Sequence, residues 1–281
     1  KIIKDLGLPV SKRVRFVVGT DEESGWADMD YYFAHVGLPK PDFGFSPDAE
    51  FPIINGEKGN ITEYLHFDGA NDGDFVLHSL SGGLRENMVP EAGRAVFSGP
   101  VDLAFLQEKL AAFTAENPVT ASLTEEAGRF QLEVIGKSAH GASPASGING
   151  VTYLANFLSQ FDFAGPAQAY LTIAGQILHQ DHFGQATGVA FEDEKMGKLT
   201  MNAGVFSFDA ASSDNRIALN FRFPQGTDEK KIQAVLEGLE GVREVSLSQH
   251  MHTPHYTPME DELVSTLLSV YEKQTGLKGH E

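Results

Sequence analysis

The sequence predicts an α/β domain, incomplete in this chain, that is interrupted by an inserted α+β domain. Two short apolar runs, residues 14–18 and 42–45, each end in an acidic turn, and strand ends are where open α/β sheets place their ligand-binding groups. The middle of the chain instead mixes strand patterns with helix patterns. We expect residues 1–56 and 253–281 to belong to the first domain and residues 57–252 to the inserted one.

The first and last elements predict that the chain is an internal fragment of a larger domain. Residues 1–6 have the pattern of a helix that Gly7 and Pro9 terminate, yet no residue precedes them to begin that helix. The amphipathic helix predicted at 262–274 stops where another strand is expected. Two apolar runs are also too few strands for a parallel sheet that is covered on both faces.

The two acidic turns contain the residues that most strongly suggest a functional site. Asp21, Glu22 and Glu23 follow the first apolar run, and Asp48 and Glu50 follow the second. Carboxylates at two nearby strand ends suggest a shared metal site. Because the sequence has no cysteine, such a metal must be held by oxygen and imidazole ligands. A solvated loop or a helix N-cap is the plain alternative for either turn.

The inserted domain is predicted to begin with a hairpin. Residues 61–67 and 74–80 have strand composition, with a turn-forming segment between them. That segment, 68–74, also resembles a calcium loop, but Ala70 takes a ligand position and Ser79 replaces the closing glutamate. The elements predicted further on are a helix at 101–116, strands at 120–123 and 129–135, a helix at 147–160, strands at 199–208 and 215–223, a helix at 228–239 and a strand at 242–249. Their similar order would fit two β-α-β units packed side by side.

The composition disfavours several classes of function. The chain has 39 acidic and 21 basic residues, and its net charge of −18 disfavours binding to nucleic acid or to anionic membranes. No apolar segment approaches the roughly 20 residues that span a bilayer. The absence of cysteine excludes disulfides, thiolate zinc sites and cysteine nucleophiles. We therefore expect neither nucleic acid nor a membrane as a partner.

Five motifs carry a resemblance that extends along the whole chain. They are Val-Gly-Thr-Asp-Glu-Glu-Ser at 18–24, Ser-Pro-Asp-Ala-Glu-Phe-Pro at 46–52, Gly-Leu-Arg-Glu-Asn-Met-Val-Pro at 83–90, Gly-Lys-Ser-Ala-His-Gly-Ala-Ser-Pro at 136–144 and Asn-Phe-Arg-Phe-Pro at 220–224. In this order they resemble the dinuclear zinc peptidases related to aminoacylase and carboxypeptidase G, and within them the bacterial dipeptidase V branch. The resemblance implies that residues 57–252 form a lid over a catalytic domain.

The resemblance also implies the two-zinc chemistry of a peptidase. Glu22 would be the general base and Glu23 a zinc ligand, since a metal-bound carboxylate is an acceptor only, whereas a free one can take a proton from metal-bound water. Asp48 would bind the other zinc. In the implied mechanism two zinc ions share the attacking water, and Glu22 takes its proton and returns it to the leaving amine. Other divalent metals could replace zinc.

Three lid residues are assigned to the substrate by the same resemblance. His140 would stabilise the oxyanion of the tetrahedral intermediate. Asn87 and Arg222 would hold the substrate, and the guanidinium of Arg222 suits a bidentate contact with a free C-terminal carboxylate. The implied substrate is therefore a dipeptide with a free carboxyl terminus, and the implied enzyme is a cytoplasmic monomer.

The chain departs from the family in its zinc ligands. The family's centre has five, and only Glu23 and Asp48 have counterparts here. A histidine and a bridging aspartate would lie upstream of Lys1, and a late histidine downstream of Glu281. Because zinc sites normally have at least three protein ligands, we expect this chain alone to be inactive and the complete protein to be a metallo-dipeptidase.

Two other functions stay open at this point. An amino-acid deacylase or a carboxypeptidase of the same family would differ mainly in what the lid admits. From another class, the chain could be a non-catalytic acidic binding module. A further metal site at His250, His252 and His255 is disfavoured, because the alternation of a strand sends neighbouring side chains to opposite faces.

Overall fold

The structure, a computed structural model, divides the chain into two compact units. The first unit spans Lys1–Ala49 and the second Glu50–Glu281. The residues described are 2–21, 26–47, 51–69, 73–249 and 251–280. No helix within these ranges is long and apolar enough to cross a membrane.

The first unit contains two helices, α1 (Ile2–Asp5) and α2 (Ala27–His35), among its described residues. The strands predicted at 14–18 and 42–45 are wrong, because neither run has strand conformation in the structure. Phe16, in the first run, is 87% exposed. A strand is stable only when its backbone N–H and C=O groups pair with a neighbour, and the described part of this unit offers no such neighbour.

The second unit contains the strands and the longer helices. Its strands are β1 (Gly56–Glu57), β2 (Gly59–Phe67), β3 (Val76–Gly82), β4 (Ala92–Ser98), β5 (Thr120–Glu126), β6 (Arg129–Ile135), β7 (Glu192–Asp193), β8 (Gly197–Lys198), β9 (Thr200–Asp209), β10 (Asn215–Phe223), β11 (Glu244–Leu247) and β12 (His255–Tyr256). Its helices are α3 (Leu103–Glu116), α4 (Gly150–Leu158), α5 (Gly165–Thr172), α6 (Glu229–Leu236) and α7 (Glu262–Thr275).

Eight of these strands form one antiparallel sheet within the described residues. Its order is β11-β2-β10-β9-β3-β4-β6-β5. The predicted hairpin of residues 61–67 and 74–80 is wrong: β2 pairs with β10 and β11, and β3 pairs with β4 and β9. The consecutive strands β9 and β10 pair with each other and lie between β2 and β3, so the turn-like segment between β2 and β3 spans two strand positions.

The other elements predicted between residues 101 and 249 form, with ends shifted by a few residues. The helix predicted at 101–116 begins at Leu103, because the Asp102 carboxylate accepts a hydrogen bond from Phe105 N at 2.8 Å and caps the helix. Strand β10 has the predicted bounds. Strand β4 and helix α5 were not predicted.

The core of the second unit lies on one face of the large sheet. Ile61, Leu65 and Phe67 alternate along β2 and are fully buried. The ring of Phe67 contacts Tyr170 of α5 with centroids 4.9 Å apart. Eight of the nine residues of α4 are buried, as expected for a helix enclosed on all sides. On the opposite face, β2, β9 and β10 carry the polar side chains of the candidate site.

Candidate functional site

Three of the six predicted site residues lie outside the described residues. These are Glu22, Glu23 and Asp48. The residues on either side of the first two hold a compact arrangement: Trp26 N donates to Asp21 O at 2.9 Å, and Ala27 N donates to the Asp21 carboxylate at 2.9 Å. Among the described residues, no three carboxylate or imidazole side chains form a group that could hold a metal ion. His250 also lies outside the described residues.

Asn87 lies in the turn between β3 and β4, and a buried asparagine holds this turn from beneath. Asn202, on β9, is 2% exposed. Its amide nitrogen donates to the backbone oxygens of Glu86 at 2.7 Å and Met88 at 3.0 Å, the two neighbours of Asn87. Because an amide has two N–H groups, both are used in this clamp. The turn is therefore fixed while the Asn87 side chain is exposed.

The segment that carries His140 pairs with the Asn87 turn. Met88 and His140 form an antiparallel bridge, and Gly141 N donates to Asn87 O at 2.7 Å. A Cβ atom at Gly141 would lie 2.9 Å from the backbone carbonyl of Asn87, so a larger residue could not approach as closely. The structure thus brings Asn87 and His140 together, as parts of one hydrogen-bonded unit.

The hydrogen bonding of His140 defines which ring nitrogen can act as a donor. Ala142 N donates to Nδ1 of His140 at 3.1 Å, so Nδ1 is an acceptor. A neutral imidazole carries its single proton on the other nitrogen, Nε2. The ring is exposed, so this N–H is free to reach a ligand. The geometry therefore presents an exposed N–H donor from His140 on the segment that pairs with the Asn87 turn.

Arg222 lies on β10, on the polar face of the sheet. It pairs across the sheet with Asn60 of β2 and with Thr200 of β9. The guanidinium is half-buried, and its Nε atom is buried without a hydrogen-bond partner. Burial lowers the pKa of Arg222, while the attraction of Glu57 acts in the opposite direction. Among the described residues, no carboxylate forms an ion pair with it within 4.0 Å.

The strand register connects Arg222 to the Asn87 turn. Asn202, which clamps that turn, lies directly opposite Asn220 on β10. Arg222 follows Asn220 by two residues and therefore lies on the same face of the sheet. Asn202 and Arg222 are thus near neighbours on one polar surface. The three described site residues, Asn87, His140 and Arg222, are all supported by this face of β9 and β10.

A cavity of about 170 Å³ lies beside this surface, lined by Asn202, His182 and residues of α4. Burial and then the neighbouring His182 lower the pKa of His179 to about 4, and burial lowers the pKa of His182 while Asp181 acts against it. Both imidazoles are therefore neutral at pH 7. Asp181 lines the cavity beside His182, and its acidic side chain makes the cavity a poor site for the carboxylate that Arg222 would bind.

Sequence reasoning assigned no role to Asn202, Thr200 or Asn220. Asn220 stands inside one of the five motifs, and Asn202 is a polar residue within a predicted apolar strand, which was the available signal for both. Thr200 gave no signal, because a threonine at the start of a strand is ordinary.

Several bacterial proteins are similar to the chain along almost its whole length. The "Beta-Ala-Xaa dipeptidase" of Lactobacillus delbrueckii subsp. lactis is 39% identical over 284 residues, covering 100% of this chain. The "Putative dipeptidase YtjP" of Bacillus subtilis (strain 168) is 36% identical over 285 residues, covering 99%. The "Putative dipeptidase SSP1012" of Staphylococcus saprophyticus subsp. saprophyticus is 31% identical over 283 residues, covering 98%.

The chain is similar to bacterial dipeptidases. It spans 59% of the length of each of these three relatives. No protein-family model matches the chain. The similarity covers all five motifs named above, because it extends over 98% or more of this chain in each case. The names of the relatives support a peptidase class, and they say nothing of a metal.

Proposed function

We propose that the protein containing this chain is a zinc-dependent dipeptidase that requires a free carboxylate at the end of its substrate. The observation that carries the proposal is the common support of Asn87, His140 and Arg222 by one polar face of β9 and β10. The names of the relatives support the same reaction class.

Arg222 is proposed to bind the C-terminal carboxylate of the substrate. Its charge has no ion-pair partner among the described residues, and partial burial strengthens its attraction for an anion. A guanidinium offers two parallel N–H donors to a carboxylate. This contact limits the peptide length, because a longer substrate would place its carboxylate beyond Arg222.

His140 and Asn87 are proposed to act on the scissile carbonyl. The Nε2–H of His140 is free to donate, because Nδ1 is occupied by Ala142 N. The Asn87 amide would hold the substrate by a further hydrogen bond to the same carbonyl. Donors that are already fixed before the reaction stabilise the oxyanion without reorganising as its charge develops.

Glu22, Glu23 and Asp48 are proposed to supply the general base and two metal ligands of the reaction, with Glu22 as the base that moves a proton from water to the leaving amine. Glu23 and Asp48 have the oxygen donors that zinc accepts, and they are fewer than the three ligands of a normal zinc site, so further ligands must come from residues outside this set. When bound, the zinc ions would lower the pKa of a water molecule, which could then lose a proton and attack at neutral pH.

The test compares alanyl-alanine with alanyl-alanine amide as substrates of the gene product that contains this chain. We expect Arg222→Ala to lower kcat/KM for alanyl-alanine about 100-fold and to leave the amide within about threefold. Arg216→Ala is the matched control, since Arg216 is exposed on the same strand about 20 Å away. Equal losses for both substrates would refute the carboxylate contact.

The same assay separates the related activities. An amino-acid deacylase would prefer N-acetyl-alanine to alanyl-alanine, and a non-catalytic binding module would hydrolyse neither. We expect alanyl-alanine to be the preferred substrate of the three compounds.

A further inference from the structure

Three buried polar atoms without hydrogen-bond partners lie together on the polar face of the sheet. Among the described residues, the buried side-chain atoms without a partner are both carboxylate oxygens of Glu63, Thr200 Oγ1, Asn220 Oδ1 and Arg222 Nε. Protonation can relieve Glu63, whose pKa is raised by burial and by nearby Glu237 and Glu229 to about 8. The hydroxyl, amide and guanidinium have no such relief near neutral pH.

The strand register places these three residues side by side. Thr200 on β9 is directly opposite Arg222 on β10, and Asn220 precedes Arg222 by two residues on the same face. Directly opposite residues have Cβ atoms about 4.5–5.5 Å apart. Thr200 and Asn220 are 9% and 4% exposed, so bulk water does not solvate them freely.

The orientation of the Asn220 amide is fixed by its other contacts. Its nitrogen lies 3.0 Å from Asn60 Oδ1, 3.1 Å from Thr62 Oγ1 and 3.3 Å from Ile61 O, all on β2. The amide nitrogen is thus directed at β2, and the amide oxygen, on the other side of the planar amide, has no partner. Thr200 and Arg222 therefore carry unpaired donors at one register position of β9 and β10, and Asn220 carries an unpaired acceptor two residues away on the same face.

We infer that Thr200 and Arg222 form one subsite for the substrate carboxylate, with the Thr200 hydroxyl as a second donor and as a determinant of specificity. This inference rests on the proposed dipeptidase function and names a contact within it. A carboxylate only accepts hydrogen bonds, so it can receive the Thr200 O–H and the Arg222 Nε–H together. Unpaired Nε identifies the side of the guanidinium that meets the ligand, since Nε and one terminal nitrogen form a bidentate edge.

The Asn220 oxygen fits the same ligand. It is an acceptor beside two donors, and the last residue of a peptide carries an N–H next to its carboxylate. A buried polar group left unpaired costs free energy, and a ligand that pairs all three atoms recovers that cost on binding. The subsite thus favours a C-terminal amino acid over a simple anion such as acetate.

The test uses Thr200→Val, which keeps the side-chain shape and removes the hydroxyl, and Thr200→Ser, which keeps the hydroxyl. In the gene product that contains this chain, we expect Thr200→Val to raise KM for alanyl-alanine about tenfold and to change the amide little, with Thr200→Ser within about threefold of wild type. Thr187→Val is the structural control, because this buried threonine bonds to Asp181 at 3.3 Å. It should affect both substrates equally.

Two outcomes would overturn the inference while the dipeptidase function stands. In the first, Thr200→Val changes KM for both substrates by the same factor, which means that the hydroxyl serves the fold or binds only water. In the second, Thr200→Val changes KM for neither substrate. If the wild-type protein hydrolyses no dipeptide, the proposed function fails. The subsite is then tested by following the Arg222 Nε–H signal in NMR titrations with alanyl-alanine. Weaker binding by Thr200→Val than by wild type supports the subsite, and equal or absent binding overturns it.

Discussion

Asn202 connects residues that are far apart in sequence. Its side chain donates to the carbonyls of Glu86 and Met88, and the turn between them pairs with the His140 segment. No other described side chain is shown in contact with both carbonyls that flank Asn87. A displacement of this one amide would therefore move both proposed oxyanion donors.

Asn202→Ala should disturb catalysis more than substrate binding. Because misplacement of catalytic donors by about 1 Å costs about 100-fold in rate, we expect kcat to fall about 100-fold while KM for alanyl-alanine changes less than about threefold. Arg222, the proposed contact of the substrate carboxylate, lies on β10. Steady-state kinetics give both constants, and Asn156→Ala, which removes a 2.7 Å bond to Gly175 O, is the control. A rise in KM with unchanged kcat would contradict a positioning role.

Asn87, His140 and Arg222 could be proposed from the sequence because their motifs are local. Asn202, Thr200 and Asn220 could not be assigned roles in the same way, since their function depends on which residues the register of β9 and β10 places opposite one another. Hydrogen bonds such as that from Asn202 to Glu86 join residues 116 positions apart. A single sequence contains no direct record of such pairs.

At the scale of elements, the inner face of β2 contains a buried glutamate near Glu229 of helix α6 and near Glu237, which follows that helix. Glu63 is fully buried, and burial followed by the charges of Glu237 and Glu229 raises its pKa to about 8. The unfolded chain releases this proton at lower pH than the folded chain. Stability from this group is therefore present at low pH and is lost as pH rises toward 8.

The Glu63→Gln variant should remove this pH dependence. Between pH 6.5 and pH 8 we expect the free energy of unfolding of the wild-type chain to fall by about 1–2 kcal/mol relative to that of the variant. The lowered pKa values of His179 and His182 act in the opposite direction near pH 6.5, and they act equally in both chains. Urea titrations provide the measurement, and exposed Glu244→Gln is the control. An unchanged slope in Glu63→Gln would contradict the explanation.

Local sequence patterns were sufficient to predict some of the strands and helices, but not how the strands pair. Strand β10 and helix α3 were predicted because strand and helix patterns are local signals, whereas the cap at Asp102, which fixes the start of α3, was not used. The hairpin of residues 61–67 and 74–80 was a wrong prediction, because turn composition does not reveal that β9 and β10 occupy the positions between β2 and β3. Strand pairing between distant segments is decided by tertiary packing.

At the scale of the whole molecule, one sheet supports the whole described part of the site. Strands β9 and β10 carry Asn202, Thr200 and Arg222, and β9 also pairs with β3, the strand that leads into the Asn87 turn. Helices α3, α4, α5 and α6 contribute residues to the core on the opposite face. This division leaves the polar face available for a ligand, while packing on the other face fixes the register on which the site depends.

The most direct test of the proposed function is the metal dependence of dipeptide hydrolysis by the gene product that contains this chain. The protein would be assayed with alanyl-alanine as prepared, after removal of bound metal by a chelator, and after readdition of zinc, alongside Glu22→Gln. We expect hydrolysis that is lost with the metal and recovered with zinc, and no hydrolysis by Glu22→Gln under any condition. Full hydrolysis after metal removal, or by Glu22→Gln, would contradict the proposed function.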